Sequence, residues 1–412
     1  MGEAGILSAM AWLAFIWWFV GLGCGPGEPV SEVTVSAPDV QVLSVQHPDP
    51  WMGEQRALVL PVAWSDEEAA VSVEALQDDF FGPQGSLRAW FSEASSGKFD
   101  LTGEVLPWKV SERSWNGQGP RKPAEIAELA LELFEGEYDP ADFDQTGNGR
   151  IDHLFVVHSG RLARDRVGPR WIFGAGRPDR TVVLQARGLG TVGEDLAIGF
   201  YAHEAGHRYF GLRDRYGDHD QGKYGIGVWG LMGLGQWGPS AQIPLASLNR
   251  NPVHPRARAK MRIGWAEVRR IEGSARDVVL NPVEVSGDVV HLSTGGEFDL
   301  VLEVRSPQGF HKDLPGHGLL VWREPRTASG PVALLAADGR DDLNEGEPLG
   351  RRPLPPNDEN FGDASDPFPG SDGVDEVTEP VTGIRIFGIE QRGAAVRFHV
   401  EFPSEEGPQS AP

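Results

Sequence analysis

Two histidines and a glutamate in the run His203-Glu204-Ala205-Gly206-His207 are the residues best suited to chemistry. The surrounding pattern predicts a helix from about Ile198 to Phe210, and residues four apart on a helix lie on one face. Both imidazoles can therefore reach one metal ion, while Glu204 can act on a ligand of that ion. The spacing predicts a zinc site, and the alternative is a surface helix with two solvated histidines.

Two features downstream of this helix bear on the same site. Gly211 can end the helix in the left-handed conformation, after which Asp214 can turn back toward the metal. The glycine-rich segment 227–238 holds Met232 between Trp229 and Trp237. Taken alone, this segment predicts a packed loop. After the histidine motif, it resembles the Met-turn of metzincin zinc proteases, in which a methionine lies beneath the metal.

Further landmarks follow one another along the chain from residue 57 to residue 402. The first landmarks are the opening strand with Trp64-Ser65-Asp66, the segment 86–101, the histidine motif and the turn with Met232. Later ones follow in the same order, and they are His254-Pro255 through Trp265, residues 298–305, residues 314–320, Gly362-Asp363-Ala364 and Phe368-Pro369-Gly370. This ordered set resembles the immune inhibitor A family of secreted zinc metalloproteases. The resemblance implies a metzincin-like fold, with zinc held by His203 and His207 and with Glu204 as general acid/base.

The sequence departs from the strict metzincin spacing in the third ligand. That spacing places a glycine at residue 210 and a ligand at residue 213, where this chain has Phe210 and Arg213. Arg213 is a permanent cation and cannot bind zinc, so Asp214 is the predicted third ligand. Asp218, His219 and Asp220 are held in reserve. The shift by one residue also leaves open a loosened or inactive site.

A second candidate metal site is the acidic run 144–152. Counted from Asp144, oxygen-bearing side chains fall at positions one, three, five and nine, as in an EF-hand calcium loop. Gly149 occupies position six, but Phe155 stands at position twelve in place of Glu, so other ligands would have to come from elsewhere. The family resemblance implies structural calcium here, and the alternative is an acidic turn. The predicted ligands are Asp144, Thr146, Asn148, Arg150 through its backbone carbonyl, and Asp152.

The N-terminal segment predicts export. No charged residue lies between Glu3 and Glu28, and the chain is apolar up to Val20. Small residues then precede Cys24, as in the lipobox of bacterial lipoproteins, where this cysteine is lipidated. Gly21 replaces the usual Leu, so an uncleaved anchor or an ordinary signal peptide stays open. We expect an exported protein that is held at the bacterial cell envelope as a lipoprotein, or secreted.

Composition excludes several classes of function. The 412 residues include 37 Lys and Arg against 60 Asp and Glu, and the formal net charge of -23 repels nucleic acid. A single cysteine excludes a disulfide framework and a cysteine-based zinc site. Neither Ser86 nor Ser95-Ser96-Gly97 forms the nucleophile elbow of a serine hydrolase.

The order of helical and strand patterns predicts an α+β protein. Helices and strands mix up to Trp265, whereas later segments such as Val396-Arg397-Phe398 alternate as half-buried antiparallel strands do. We predict a signal peptide over 1–24, a linker over 25–56, a metzincin-like zinc protease domain with an active-site helix and a mixed sheet over 57–270, a β-rich domain over 271–403, and a tail over 404–412. The acidic residues between 338 and 380 could bind more calcium or form a solvated loop, and the solvated loop is preferred.

These features together predict an exported zinc-dependent endopeptidase that cleaves protein or peptide substrates. Water activated by zinc would attack the peptide carbonyl, with Glu204 as general base and then acid. The alternative is a surface-anchored binding protein that retains the protease fold but has no catalytic activity. A zinc hydrolase that acts on substrates other than peptides is also open.

Overall fold

The computed structural model describes residues 52–69, 71–115, 123–160, 181–186, 197–217, 223, 225–238, 250–327, 330–345 and 361–403. The N-terminal segment with Cys24 and the tail 404–412 lie outside these residues, as do the reserve ligands Asp218, His219 and Asp220. Within the described part of the chain, none of the helices has the length and apolar character needed to span a bilayer.

The first sheet is parallel in all of its described pairings. Its strands are β1 (Gly53–Ala63), β2 (Phe99–Val105), β3 (Lys109–Val110), β4 (His153–His158) and β5 (Thr181–Gln185). Their order is β2-β1-β4-β5, and β3 pairs with the end of β1. The sequence predicts a mixed sheet here, whereas the described strands of this first sheet pair only in parallel. β1 begins before the predicted start at residue 57 because Gly53 already pairs with Phe99.

Helices cover both faces of this sheet. They are α1 (Val73–Phe81), α2 (Leu87–Ala94), α3 (Pro123–Leu133) and α4 (Ile198–Phe210). A further helix, α5 (Ala257–Ile263), follows later in the chain. Ile126 and Ala130 of α3 share a core with Leu58 of β1, whereas Ala202 of α4 shares the opposite core with Val59. The strands are buried on both faces, as expected for parallel strands between helices. The apolar side chains Ile126, Leu129 and Ala130 of α3 are accordingly buried.

The rest of the described chain forms two further sheets. Their strands are β6 (Glu267–Ile271), β7 (Ala275–Leu280), β8 (Asp288–Leu292), β9 (Phe298–Arg305), β10 (Gly318–Pro325), β11 (Ala333–Leu335), β12 (Glu376–Thr378), β13 (Arg385–Arg392) and β14 (Ala395–Glu401), with the short helix α6 (Asp342–Glu345) between β11 and β12. The strand orders are β11-β10-β9-β8-β6 and β12-β13-β14-β7. β6 spans the boundary predicted between residues 270 and 271, and that boundary stays a prediction.

The sheet β11-β10-β9-β8-β6, the middle sheet of the three, lies between two apolar cores. Leu302 of β9 and Val321 of β10 pack with Ile386 and Phe398 of the third sheet, whereas Trp322 packs with the core that contains α4. Successive side chains of a strand point to opposite faces, so β10 must be apolar on both. The mixed architecture, with several sheets and few helices, agrees with the predicted α+β class. The β-rich part, formed by these two sheets, therefore shares an apolar core with the histidine helix α4.

Candidate metal centre

Helix α4 presents the histidine motif from a buried position. The helix ends at Gly211, which has φ 61° and ψ 28°, and the N–H of Gly211 bonds to the carbonyl of His207. The predicted helix bounds and the left-handed end at Gly211 are confirmed. Side chains at positions 203 and 204 are buried, and His207 is partly exposed. The chain reverses at Gly211, and this reversal brings the next residues back along the helix.

Three ligand atoms converge at this reversal. Nε2 of His203 and Nε2 of His207 lie 3.1 Å apart, and Oδ1 of Asp214 lies 3.1 Å from each of them. Glu204 belongs to the same cluster, since its carboxylate and the two imidazoles lie within 4.8 Å of one another. The structure thus brings together the three predicted zinc ligands and the predicted general base.

Backbone carbonyls orient both imidazoles. Nδ1 of His203 lies 3.1 Å from the carbonyl oxygen of Leu231, and Nδ1 of His207 lies 2.7 Å from that of Leu212. A neutral imidazole that donates from Nδ1 keeps the lone pair of Nε2 free to accept a metal. Sequence reasoning missed these two carbonyls because backbone acceptors have no residue signature.

The charges of the cluster favour a cation at its centre. Burial raises the pKa of Glu204, and the charges of His203 and His207 oppose part of that rise. Burial lowers the pKa of His207, but the hydrogen bond with Asp214 and the charge of Glu204 outweigh burial and raise it to about 9. Burial also disfavours ionised Asp214, but hydrogen bonds from the two histidines hold its pKa well below the usual value. A metal cation can replace the proton in such a cluster.

Met232 packs against the helix between the two histidines. A Cβ on Gly206 would lie 2.8 Å from Sδ of Met232, so no larger residue fits there without displacing the methionine. The close approach at Gly206 is therefore made by a side chain. Tyr216, which sequence reasoning missed, stacks on His203 with ring centroids 5.8 Å apart.

Phe210 is the extra residue relative to the strict metzincin spacing, and its ring packs in an aromatic cluster. The Phe210 ring lies 4.8 Å from Trp265, 6.0 Å from Phe91 and 6.2 Å from Phe99, measured between centroids. Such contacts stabilise an aromatic ring beyond its hydrophobic burial, and Phe210 is partly buried among these partners. The one-residue shift thus leaves the helix end packed, and Asp214 still reaches both histidines.

The acidic run 144–152 forms one closed loop before β4. Asp144 accepts backbone N–H groups from Asn148 at 2.9 Å and Gly149 at 2.6 Å. Asp152 accepts the backbone N–H and the hydroxyl of Thr146, both at 2.8 Å. Gly149 has φ 79°, which suits the sharp turn at position six. Phe155 at position twelve is fully buried in β4 and offers no oxygen.

Hydrogen bonds in this loop favour the ionised form of Asp144. Desolvation opposes ionisation, but hydrogen bonds from the N–H groups of Gly149, Asn148 and Gly147 together outweigh it and lower the pKa of Asp144. The structure therefore gathers the predicted oxygen-bearing side chains in one turn. Calcium at this turn stays a prediction.

Comparison with known proteins gives one distant similarity. No protein-family model matches the chain. The chain is similar to Immune inhibitor A from Bacillus thuringiensis subsp. alesti, with 27% identity over 199 residues, covering 37% of this chain. The similar region spans 28% of that protein. The similarity supports a distant relationship to the family that the motifs resemble.

Proposed function

We propose that the protein is an exported zinc-dependent endopeptidase that hydrolyses peptide bonds in protein substrates. The observation that carries this proposal is the convergence of His203, His207 and Asp214 on one point beside Glu204. Export, with attachment to the cell envelope through a lipid on Cys24 or secretion, rests on the N-terminal sequence pattern.

The donor set fits a zinc ion. Two imidazole nitrogens and a carboxylate oxygen are ligands that zinc accepts, with a further position left for water or substrate. Ligand atoms of a tetrahedral zinc ion, each about 2.0–2.1 Å from the metal, lie about 3.3 Å apart. The three separations of 3.1 Å among the donor atoms are close to that value.

The side chains of the site then have separate tasks. When bound, zinc supplies a Lewis acid that acidifies water and polarises a peptide carbonyl. Glu204 takes the proton of the attacking water and passes it to the nitrogen of the leaving amine. Its burial excludes bulk water from that proton transfer, and Met232 supports the helix from behind. No covalent intermediate with the chain is required.

Metal removal tests this function directly. We expect the full-length protein, purified in detergent, to contain zinc and to cleave casein. A chelator should abolish cleavage, and added zinc should restore it, because the metal supplies the Lewis acid. Zinc content and the release of casein fragments are the measurements. Bound zinc without cleavage of casein or of a peptide library would favour the hydrolase with another substrate class, and absence of zinc would favour the inactive binding protein.

We also propose that the loop 144–152 binds calcium. Asp144, Thr146, Asn148, the Arg150 carbonyl and Asp152 would supply oxygen ligands, and ionised Asp144 would supply charge. A bound ion would lock the turn that leads into β4. This role is structural, because β4 lies in the first sheet beside β1 and β5.

Calcium should stabilise the wild type but not the Asp144→Asn variant. Binding to the folded state alone adds about 2.7 kcal/mol at a calcium concentration 100 times Kd. The variant keeps an acceptor for the turn but loses the charge, so the calcium-induced rise in Tm should disappear. Asp142→Asn, a change at an exposed residue just before the loop, is the matched control. A rise in Tm that is the same in all three proteins would assign calcium to another site.

A further inference from the structure

The turn that carries the carbonyl acceptor of His203 belongs to none of the described helices or strands. Leu231, whose oxygen lies 3.1 Å from Nδ1 of His203, sits between two short 3-10 helices, Gly227–Trp229 and Leu234–Trp237. Local hydrogen bonds fix part of this turn. The N–H of Leu231 donates to the carbonyl of His254 at 3.1 Å, and the carbonyl of Met232 accepts from Arg215 at 2.7 Å.

Two side chains from the β-rich part hold the residue at the start of this turn. The indole Nε1 of Trp229 donates to Oδ2 of Asp366 at 2.7 Å, and the carbonyl of Trp229 accepts from Arg305 at 3.3 Å. Trp229 and Arg305 are fully buried, and Asp366 is 5% exposed. The indole N–H and the carbonyl of one buried residue are therefore both bound by side chains from the β-rich part.

Each of the two side chains is itself fixed. The guanidinium of Arg305 lies 2.9 Å from Glu303 and 2.8 Å from His311. Oδ2 of Asp366 also accepts the N–H of Asp363 at 3.0 Å. Gly362, at φ 107°, lets this loop approach, because a Cβ there would lie 2.5 Å from Nε1 of Trp229. The acidic segment that the sequence assigned to a solvated loop thus contributes a buried contact, and we correct that expectation for Asp366.

We propose that Asp366 and Arg305 are positioning residues for the metal centre, which act through Trp229 to hold the Leu231 carbonyl against His203. The inference rests on the proposed zinc function. Partners in the second shell of a metal site orient its ligands, and their loss weakens metal binding. The β-rich part thereby becomes a component of the metal centre, although it supplies none of the predicted zinc ligands.

Variants of Asp366 in the full-length protein test this proposal. Asp366→Ala removes the acceptor for the indole, and we expect zinc affinity to fall about 10–100-fold, with a loss in kcat and little change in KM. Asp366→Asn keeps an oxygen acceptor and should restore both values. Asp372→Ala removes an exposed carboxylate of the same segment and should change nothing. Zinc competition with a chelator and steady-state kinetics are the measurements.

A purely structural role would give a different pattern. In that case Asp366→Ala would lower Tm but leave zinc affinity and kcat at wild-type values, and the proposal would be overturned. If Asp366→Ala does not fold, Trp229→Phe removes the donor from the other side and should weaken zinc binding to a similar degree. With Trp229→Phe already in place, Asp366→Asn should have no further effect.

Hydrogen–deuterium exchange separates this proposal from the proposed function. In metal-free protein, loss of the Asp366 contact should speed amide exchange across residues 226–236, and Asp372→Ala should not. If the wild type binds no zinc, the zinc function fails, while faster exchange would still establish that Asp366 holds the turn. Unchanged exchange in Asp366→Ala would overturn the positioning role even if zinc binds.

Discussion

Glu204→Gln should lower kcat/KM for casein or a peptide substrate by about 10²–10⁴-fold, the range typical for loss of a general acid/base. The amide keeps the shape of the buried side chain but cannot take the proton from water. Zinc content should stay at the wild-type level, because His203, His207 and Asp214 remain. Kinetic assays with parallel zinc analysis are the measurement.

The control for this variant is Glu128→Gln, the same change at an exposed position of α3. It should retain wild-type kcat/KM and zinc content. Wild-type activity in Glu204→Gln would exclude Glu204 as the base. Loss of zinc together with activity would instead make Glu204 a residue that holds the metal, since its carboxylate belongs to the same cluster as the two imidazoles.

Asp214→Ala should weaken zinc binding by more than about 100-fold, a larger effect than loss of an outer partner. Oδ1 of Asp214 lies 3.1 Å from Nε2 of both histidines, so its removal takes away one donor of the proposed set and the negative charge beside them. Activity at limiting zinc should fall in proportion. Chelator competition gives the dissociation constant directly.

The adjacent Arg213→Ala variant is the matched control, because Arg213 is exposed and lies one residue before the proposed ligand. It should bind zinc as the wild type does. If Asp214→Ala also retains wild-type affinity, the third ligand lies elsewhere, and Asp218, His219 and Asp220 become the residues to replace. This pair of variants also tests whether the extra residue Phe210 has moved the third zinc ligand from position 213 to position 214.

Some of the family landmarks gain a physical explanation from the structure. His254 provides the carbonyl that holds Leu231, and its own N–H donates to Nε2 of His311 at 3.0 Å. Arg305 and His311 belong to the same buried network, together with Glu303. Removing one member of such a network leaves a buried charge uncompensated and is strongly destabilising. The sequence pattern marked this region without indicating that it bonds to the turn that carries Leu231.

Local patterns were sufficient for the parts of the site that lie close together in the chain. The helix bounds of α4, the shared face of His203 and His207, and the reversal at Gly211 follow from helical periodicity and the conformational freedom of glycine. The turn at Asp144 likewise depends on residues within one short loop. These interactions join near neighbours, so residue type and spacing predict them.

Tertiary structure decided the contacts between distant segments. The sequence by itself determined the histidine helix, the candidate ligands, the oxygen-rich turn and the α+β class. It did not determine that Met232 packs on Gly206 or that the middle sheet lies between two cores. It also did not pair Trp229 with Asp366, 137 residues away. Such pairings depend on how the sheets and helices pack together. The sequence around a polar group in a loop does not indicate which distant residue will bond to that group when both are buried.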